Sequence, residues 1–339
     1  MIKICLNLLL SLSIFQIVTA QEIQMLAMGK PLSLRGLSVV SDQVIWVSGS
    51  GGTVGLSVDG GQNWKWTRVA GYELSDFRDI EAFSDQEAII MGVAEPAVLM
   101  RTTDGGGRWT LVYKDTAKSA FWDAMDFSGD RGVLIGDPER GKIFFSSSSD
   151  RGKTWGKPMA SGLEGPVAGE AFFAASGSNI SYVTAGQWAL VSGGKKSCLY
   201  FAGNRYHLLL NQGSETTGAN AIAVNPGDPN LAFVVGGDFS HDTLSQGNSV
   251  RIRFNPFNQE FPDSPPRGYR SCVEYLDDKR MICCGTSGVD ISKDGGMNWQ
   301  AISDKSFHVC RKAKSGQAIF LAGAKGSIAR LKWDQPAPN

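Results

Sequence analysis

The chain has 339 residues, and its 33 basic residues balance its 33 acidic residues, so the net charge at pH 7 is zero. Nucleic-acid binding usually needs a basic excess, so we expect no nucleic-acid partner. The 41 glycines exceed the number of about 24 expected at the average usage of roughly 7 %. This excess favours a fold of short strands and tight turns.

The first 20 residues have the features of a signal peptide. Lys3 supplies a positive charge, residues 8–18 are largely apolar, and small residues precede Gln21. We therefore expect cleavage between Ala20 and Gln21, a secreted or periplasmic protein, and one domain over residues 21–339. The apolar run of about 11 residues is shorter than the roughly 20 residues of a membrane-spanning helix, so we expect no membrane span.

Five cysteines remain after this cleavage, namely Cys198, Cys272, Cys283, Cys284 and Cys310. An odd number leaves at least one thiol unpaired within the chain. Their spacing contains no Cys-x-x-Cys pair and no zinc-binding Cys/His pattern, so we predict no metal and no cofactor. The sequence leaves open whether the cysteines are buried free thiols or include one disulfide.

An eight-residue pattern, Ser/Thr-x-Asp-x-Gly-x-x-Trp, occurs four times. The copies contain Asp59 and Trp64, Asp104 and Trp109, Asp150 and Trp155, and Asp294 and Trp299. The aspartate accepts hydrogen bonds from nearby backbone N–H groups, the glycine takes a positive φ, and the tryptophan buries a large ring. The pattern therefore predicts a tight turn between two strands, in which the aspartate is structural and not catalytic.

Each repeat follows two strand-like segments, and the second of these ends in a glycine after apolar residues. This glycine recurs at intervals of 38 to 57 residues, at Gly49, Gly92, Gly136, Gly193, Gly236, Gly285 and Gly323. Most of these intervals match the 40 to 50 residues of a four-stranded propeller blade. We therefore predict an all-β fold, a seven-bladed β-propeller.

Three regions depart from the regular repeat. The longest interval, between Gly136 and Gly193, predicts an insertion near residues 176–187 of the fourth blade. The fourth and fifth blades lack the repeat aspartate, and a proline-rich loop, 261–266, follows in the fifth. The seventh blade stops after its third strand, 327–333, and residues 23–28 form an extra strand before the first blade. We expect this N-terminal strand to pair into the last blade, which closes the ring and removes both free edges.

The connections of a four-stranded meander alternate between two faces. The repeat turns, between third and fourth strands, lie on one face; the starts of the first strands and the second-to-third loops lie on the other, the mouth face. Polar residues recur at the first-strand starts: Arg35, Arg78, Asp79, Asp123, Glu170, Asn220, Arg270 and His308. The second-to-third loops add Glu95, Asp137, Asp238 and Lys325. Arginines among carboxylates suit a polar or anionic ligand, whereas solvated charges or charges paired between blades are the alternative.

Four segments, 77–83, 268–271, 287–296 and 323–329, resemble exported BNR-repeat, or Asp-box, β-propellers related to the photosystem II stability/assembly factor. This family belongs to the sialidase-like propeller superfamily, and the resemblance covers nearly the whole chain after residue 20. It implies a propeller that contacts a partner through surface arginines. The missing repeats of the fourth and fifth blades depart from the family pattern and affect local blade geometry.

Three functions follow from these observations. The first is a monomeric, non-enzymatic scaffold or assembly factor that binds a protein across the mouth face, and we favour it. The second is a sialidase-like glycoside hydrolase, with Arg35, Arg78 and Arg270 on a sugar carboxylate. Its acid and base would come from Asp123, Glu170, Asp137 and Asp238, with His308 as the remaining proton-transfer candidate.

The third is a module that binds a polar or anionic glycan without turnover, through exposed aromatic residues such as Trp122 or Tyr269. Against the hydrolase, the Phe/Tyr-Arg-Ile-Pro signature of sialidases is replaced by Leu34-Arg35-Gly36-Leu37. An oxidoreductase is disfavoured because the chain has neither a dinucleotide-binding glycine motif between a strand and a helix nor a redox cysteine motif.

Overall fold

The computed structural model describes residues 21–139, 141–156 and 165–333. The predicted signal peptide, residues 1–20, lies outside the described residues. Within them the chain forms 28 strands and no helix. The described part of the chain accordingly offers no helix that could cross a membrane. The all-β prediction is confirmed.

The strands in chain order are β1 (Glu22–Ala27), β2 (Leu34–Val39), β3 (Ile45–Gly49), β4 (Thr53–Ser57), β5 (Lys65–Arg68), β6 (Phe77–Ala82), β7 (Ala88–Gly92), β8 (Ala97–Thr102), β9 (Thr110–Asp115), β10 (Trp122–Ser128), β11 (Arg131–Glu139), β12 (Lys142–Ser148), β13 (Glu170–Ala171) and β14 (Ile180–Thr184). They continue with β15 (Gln187–Gly194), β16 (Cys198–Phe201), β17 (Asn204–His207), β18 (Thr217–Val224), β19 (Leu231–Asp238), β20 (Ser249–Arg253), β21 (Asn258–Glu260), β22 (Cys272–Tyr275), β23 (Met281–Gly285), β24 (Gly288–Ser292), β25 (Trp299–Ser303), β26 (Val309–Lys312), β27 (Ile319–Ala322) and β28 (Ile328–Lys332).

These strands form antiparallel meanders. The first sheet is β2–β5, the second β6–β9, the third β10–β12, and the sixth β22–β25. Between the third and sixth sheets lies a nine-stranded sheet with two parts: a fourth group, β13–β17, and a fifth group, β18–β21. The two groups are joined in register only at Gly193 and Gly218. The last sheet contains β26–β28 and β1.

The N-terminal strand is the outer strand of the last sheet. β1 pairs antiparallel with β28, with Glu22 opposite Lys332. The first and last sheets also touch directly, because the Leu34 N–H donates to the Gly323 carbonyl at 3.1 Å. The predicted pairing of the N-terminal strand is therefore present. The count of seven blades and the closed ring stay predictions.

The core lies between neighbouring sheets. Inner strands such as β7 and β23 are buried along their whole length, as expected for strands covered on both faces. The fourth strands, such as β9, expose side chains at the periphery. This arrangement directs the first strand of each sheet towards a common central channel.

The four repeats form the predicted turns. In the first copy, the Ser57 hydroxyl donates to Asp59 Oδ1 at 2.8 Å and accepts from the Gly61 N–H at 2.9 Å. The Asn63 N–H also donates to Asp59 Oδ1 at 2.9 Å. The same three hydrogen bonds recur in the other copies. The carboxylates of these aspartates are therefore engaged by hydrogen bonds within their own turns.

Candidate functional site

The first strands present an unpaired backbone edge to the central channel, and at two of the seams a carboxylate of the preceding sheet accepts a hydrogen bond from this edge. Asp79 Oδ2 accepts a hydrogen bond of 2.8 Å from the Met125 N–H. One sheet further on, Asp126 Oδ2 accepts one of 2.7 Å from the Tyr182 N–H. Because an unpaired backbone N–H is costly when buried, these carboxylates stabilise the seams between sheets.

The fourth group departs from the regular meander, because its first strand is interrupted. β13 and β14 both pair with β15, and the chain between them leaves the sheet. Residues 174–179 of this excursion, which we call the channel segment, are all buried. The predicted insertion, residues 176–187, shares only residues 176–179 with the channel segment. The sequence contained no sign of its role, because the segment has neither regular periodicity nor a motif.

The channel segment touches sheets on every side of the channel. Its hydrogen bonds join Ala175 O to Arg35 Nη1 (3.3 Å), Ser176 Oγ to Ser271 O (2.7 Å), Ser176 O to Arg311 Nη2 (3.1 Å) and Ser178 O to the Ile222 N–H (2.8 Å). These partners belong to the first, fifth, sixth and last sheets or adjoin them. The segment therefore fills the channel and separates the mouth from the opposite face.

Asp79 lies beneath this segment and not at the mouth, which corrects its predicted position. A Cβ atom on Gly177 would lie 2.3 to 2.4 Å from the Asp79 carboxyl atoms, so the glycine packs directly over them. The carboxyl faces a cavity of about 330 Å³ on the side of the repeat turns, shared with Asp126 and Glu274. Burial raises the pKa of Asp79 to about 8, although the hydrogen bond from Met125 opposes the shift.

Three of the predicted mouth residues lie within electrostatic reach of one another. Arg78 pairs with Asp76 at 2.7 Å. Burial, and then the charge of Arg78, lower the pKa of Arg35. Burial, followed by the charges of Arg35 and Arg78, lowers the pKa of His308 to about 3. His308 is therefore neutral at physiological pH, and the positive charge of this group of three residues is carried by the two arginines.

Arg270 is occupied by the protein itself, which corrects its prediction as a ligand-binding residue. Its side chain is fully buried and donates through Nε to Asp290 at 2.8 Å. It also donates to the Tyr269 carbonyl at 2.9 Å and to the Ser287 hydroxyl at 2.7 Å. These partners leave its guanidinium no access to a ligand.

The predicted acid and base candidates are also dispersed. Glu170 is buried and accepts hydrogen bonds from Ser192 and Tyr200. Asp238 Oδ2 lies 2.8 Å from His241 Nδ1, and its pKa is lowered, because this and other hydrogen bonds outweigh a partial burial. Asp137 accepts a hydrogen bond of 3.2 Å from the backbone N–H of Phe172, while burial raises the pKa of the Asp137 carboxyl.

Asp123 is fully buried, and neither of its carboxyl oxygens has a hydrogen-bond partner among the described residues. Burial, and then the nearby Asp137, raise its pKa well above the usual range. A carboxyl in this position favours its neutral form. Asp123 therefore lies under the mouth surface and is closed to solvent.

The remaining predicted mouth residues differ in exposure. Glu95 and Lys325 are exposed. Asn220 is buried and accepts a hydrogen bond of 2.8 Å from the Tyr269 hydroxyl. Trp122 and Tyr269 are both buried, which corrects the expectation that they are exposed aromatic residues.

All five cysteines of the described chain are buried and free, so the disulfide alternative is wrong. Cys272 Sγ accepts a hydrogen bond of 2.9 Å from Arg311 Nη1. Although burial opposes it, hydrogen bonds to Cys284 and Cys310 and the charge of Arg311 lower the pKa of Cys272. Within the described ranges, no three His, Cys, Asp or Glu side chains are grouped to hold a metal ion.

Exposed apolar side chains are the feature of the mouth face that the sequence did not reveal. Of the eight large apolar residues exposed in the described chain, six lie in connections on this face: Met28, Leu74, Leu209, Phe239, Leu244 and Phe261. The other two, Val58 and Leu111, lie in a repeat turn and on the outer strand β9. Phe239 is 45 % exposed and packs edge-on against Phe173 and Tyr269. An apolar residue within a loop was the available sequence signal.

Antiparallel meanders placed side by side around a channel, with their first strands innermost, define a β-propeller. No protein-family model and no curated protein matches the chain. Among solved structures it is similar to one described as YCF48 bound to D1 peptide, with 17 % identity, a TM-score of 0.64, and coverage of 93 % of this chain and 98 % of the other.

Two further structures are similar. YCF48 from Cyanidioschyzon merolae has 17 % identity and a TM-score of 0.63 over 92 % of this chain and 98 % of the other. The WD40 β-propeller domain of Doa1 has 13 % identity and a TM-score of 0.64 over 93 % and 98 %. At these identities the likeness shows the β-propeller fold alone.

Proposed function

We propose that the chain is an exported, non-enzymatic, seven-bladed Asp-box propeller that binds a segment of a protein partner across its mouth face. Six of the seven recurring glycines lie in the second strands β3, β7, β11, β15, β19 and β23, and Gly323 directly follows the seventh, β27. The pairing of β1 with β28 and the contact between the first and last sheets support a closed ring.

One observation supports binding at the mouth most strongly, namely the concentration of exposed apolar side chains there. Solvation of apolar surface is unfavourable, so exposed apolar side chains that lie close together mark interaction surfaces on soluble proteins. Phe239 and Leu244, 45 % and 53 % exposed, belong to the same second-to-third loop. Aromatic residues and arginine are enriched in protein interfaces, and the mouth combines both.

The charges of the mouth indicate the chemistry of the partner. Burial, and then the positive charge of Arg78, lower the pKa of Arg35, while Asp76 forms an ion pair with Arg78. A carboxylate on the partner would relieve this repulsion. We therefore propose a partner segment with apolar side chains and at least one acidic group. The similar structure of YCF48 with a D1 peptide is consistent with peptide binding by this fold.

The glycoside hydrolase alternative receives no support from the geometry. Of its three arginines, Arg270 is buried against Asp290. Of its carboxylates, Glu170 is held by Tyr200 and Asp123 is closed to solvent. A hydrolase needs two carboxyl groups facing an open pocket, and these groups do not supply them.

The proposal is tested by partner recovery from the native envelope fraction with three tagged forms of the chain. The forms are the wild type, the mouth variant Phe239→Ser/Leu244→Ser, and the control Val58→Ser on the repeat-turn face. We expect the mouth variant to recover at least tenfold less of a defined partner, and the control to match the wild type. Equal recovery by all three forms would refute binding at the mouth.

Export is tested separately by sequencing the N-terminus of the protein from the same fraction. We expect it to begin at Gln21. A chain that keeps residues 1–20 would refute cleavage at this position.

A further inference from the structure

A second concave site lies at the end of β28, on the repeat-turn side of the last sheet. It is a cavity of about 420 Å³, which we call the seam cavity. Four of its lining residues are cations: Arg280, Lys312, Arg330 and Lys332. This face is opposite to the mouth, so the seam cavity is independent of the proposed partner surface.

The seam cavity exists because of the way the last sheet is built. In the first, second and sixth sheets, a glycine N–H of the repeat turn donates to the first-to-second turn of the same sheet. The acceptors are the carbonyl oxygens of Gln43 (3.0 Å), Gln86 (3.0 Å) and Lys279 (2.8 Å). In the last sheet the fourth strand is β1, so no turn joins it to β28. Gln317 lies in the first-to-second turn of the last sheet, at the position of these acceptor residues, and it lines the cavity.

The cavity carries an excess of positive charge. The one carboxylate among its lining residues is Asp42, whose Oδ1 already accepts N–H bonds of 2.7 Å from both Gln317 and Ala318. Arg280 forms a partly exposed ion pair with Asp277, and Lys312 donates to the neutral Leu276 carbonyl at 2.6 Å. A partly exposed ion pair is worth little, and a neutral carbonyl leaves the charge of the Lys312 ammonium group unbalanced. An anion in the cavity would therefore gain interactions that the protein itself does not supply.

The floor of the cavity is apolar. Leu276, Ile319 and Leu331 are all at least 95 % buried and line it from below. Trp333 stands at one side, with the Arg280 guanidinium 5.5 Å from its ring centre. Cavities of 300 to 1,000 Å³ with an apolar lining and a few charged groups are typical small-molecule sites.

We propose that the seam cavity binds a small oxyanion ligand, a carboxylate or phosphate ester that also carries a ring. Arg280 and Lys312 hold the oxyanion, because they lie on the same side of the last sheet as Ile319, and the ring lies against Leu276 and Ile319. The vacant place of a repeat turn thus becomes a ligand site. The site arises at the last sheet because its fourth strand comes from the start of the chain.

The test is isothermal titration of the mature chain with phenyl phosphate, benzoate and inorganic phosphate at low and high salt. We expect saturable binding of one phenyl phosphate or benzoate with a Kd below about 1 mM, weakened by salt. Inorganic phosphate should bind at least tenfold more weakly, because it lacks the ring. Of phenyl phosphate and benzoate, the compound with the lower Kd carries the oxyanion that the site prefers.

Arg280→Gln and Lys312→Gln should each weaken binding of the ring compound at least fivefold. The matched controls Arg108→Gln and Lys114→Gln, both exposed positions in or near the second sheet, should leave it unchanged. Melting curves show whether each variant is folded. Absence of saturable binding, or equal binding by the folded seam variants and the controls, would overturn the proposal.

Discussion

Arg35 Nη1 donates a hydrogen bond of 3.3 Å to the carbonyl oxygen of Ala175, which joins a mouth arginine to the segment that fills the channel. On the other side of this segment, Arg311 donates to the Ser176 carbonyl at 3.1 Å. Guanidinium groups from two sheets thus hold the segment between them. The floor of the mouth is therefore fixed, and the mouth presents a preorganised surface, which lowers the entropy cost of binding.

Substitution of Gly177 tests how closely the channel segment packs on Asp79. Its φ is +64°, and an added Cβ would collide with the Asp79 carboxyl. We expect Gly177→Ala to lower the free energy of unfolding by about 3 kcal/mol or more, because steric overlap adds to the backbone strain. Urea unfolding of the purified variant measures it.

Gly129→Ala is the matched control for this variant. Its φ is +61°, but no heavy atom lies within 4 Å of the added Cβ. The backbone strain alone should cost about 1 kcal/mol. Equal losses for the two variants would contradict close packing of Gly177 on Asp79.

The cavity below the segment makes stability depend on pH. Burial raises the pKa of Asp79 to about 8, of Glu274 to about 7 and of Asp126 to about 6. The unfolded chain releases these protons near pH 4, so between about pH 4 and 8 the folded state binds more protons than the unfolded state. This contribution therefore favours folding at low pH and is lost as the pH rises towards 8.

Asp79→Asn removes one of these groups. Although the variant loses one N–H acceptor, its unfolding free energy should fall less steeply between pH 5 and 8 than that of the wild type. Urea unfolding at four pH values across this range measures the two slopes. Parallel curves for variant and wild type would show that Asp79 is ionised throughout.

Substitution of Arg270 shows whether this arginine is structural or free to bind a ligand. Arg270→Met leaves Asp290 buried without its partner and should cost about 3 to 5 kcal/mol. The double variant Arg270→Met/Asp290→Leu should recover most of this loss, because no charge remains buried. A single variant with wild-type stability would mean that Arg270 is free for a ligand.

Deletion of the N-terminal strand tests whether β1 pairs with β28 in the last sheet. Deletion of residues 21–27 removes the β1–β28 hydrogen bonds and the packing of Leu26 near Gly61. We expect Tm to fall by roughly 5 to 10 °C, while Glu22→Gln, a surface change on the same strand, should leave it within about 1 °C. An unchanged Tm after the deletion would contradict the pairing.

The sequence was sufficient for features that rest on local chemistry. Each repeat aspartate bonds to backbone groups within five residues, so its spacing alone predicts the turn. The N-terminal strand was predictable because the seventh unit has three strand-like segments and one further segment precedes the first unit. The turns follow from neighbouring residues, and the strand pairing follows from the number of strand-like segments.

The site residues were less predictable, because distant parts of the chain decide which way a side chain turns. Arg270 turns inward because sheet register places Asp290 beside it. Asp79 lies below the mouth because Gly177, almost 100 residues later, covers its carboxyl. A list of polar residues at strand starts contains no such information, so it placed both at the mouth.

Site-specific photocrosslinking shows whether a partner protein contacts the mouth face. A benzoylphenylalanine at position 239 replaces a residue that is 45 % exposed on the mouth face, and one at position 58 replaces a residue that is 57 % exposed on the repeat-turn face. After irradiation of cells that express each form, adducts are identified by mass spectrometry. A partner bound at the mouth gives one discrete protein adduct from position 239 and none from position 58. The same adduct from both positions, or an adduct from position 58 alone, would show that the partner is not bound specifically at the mouth.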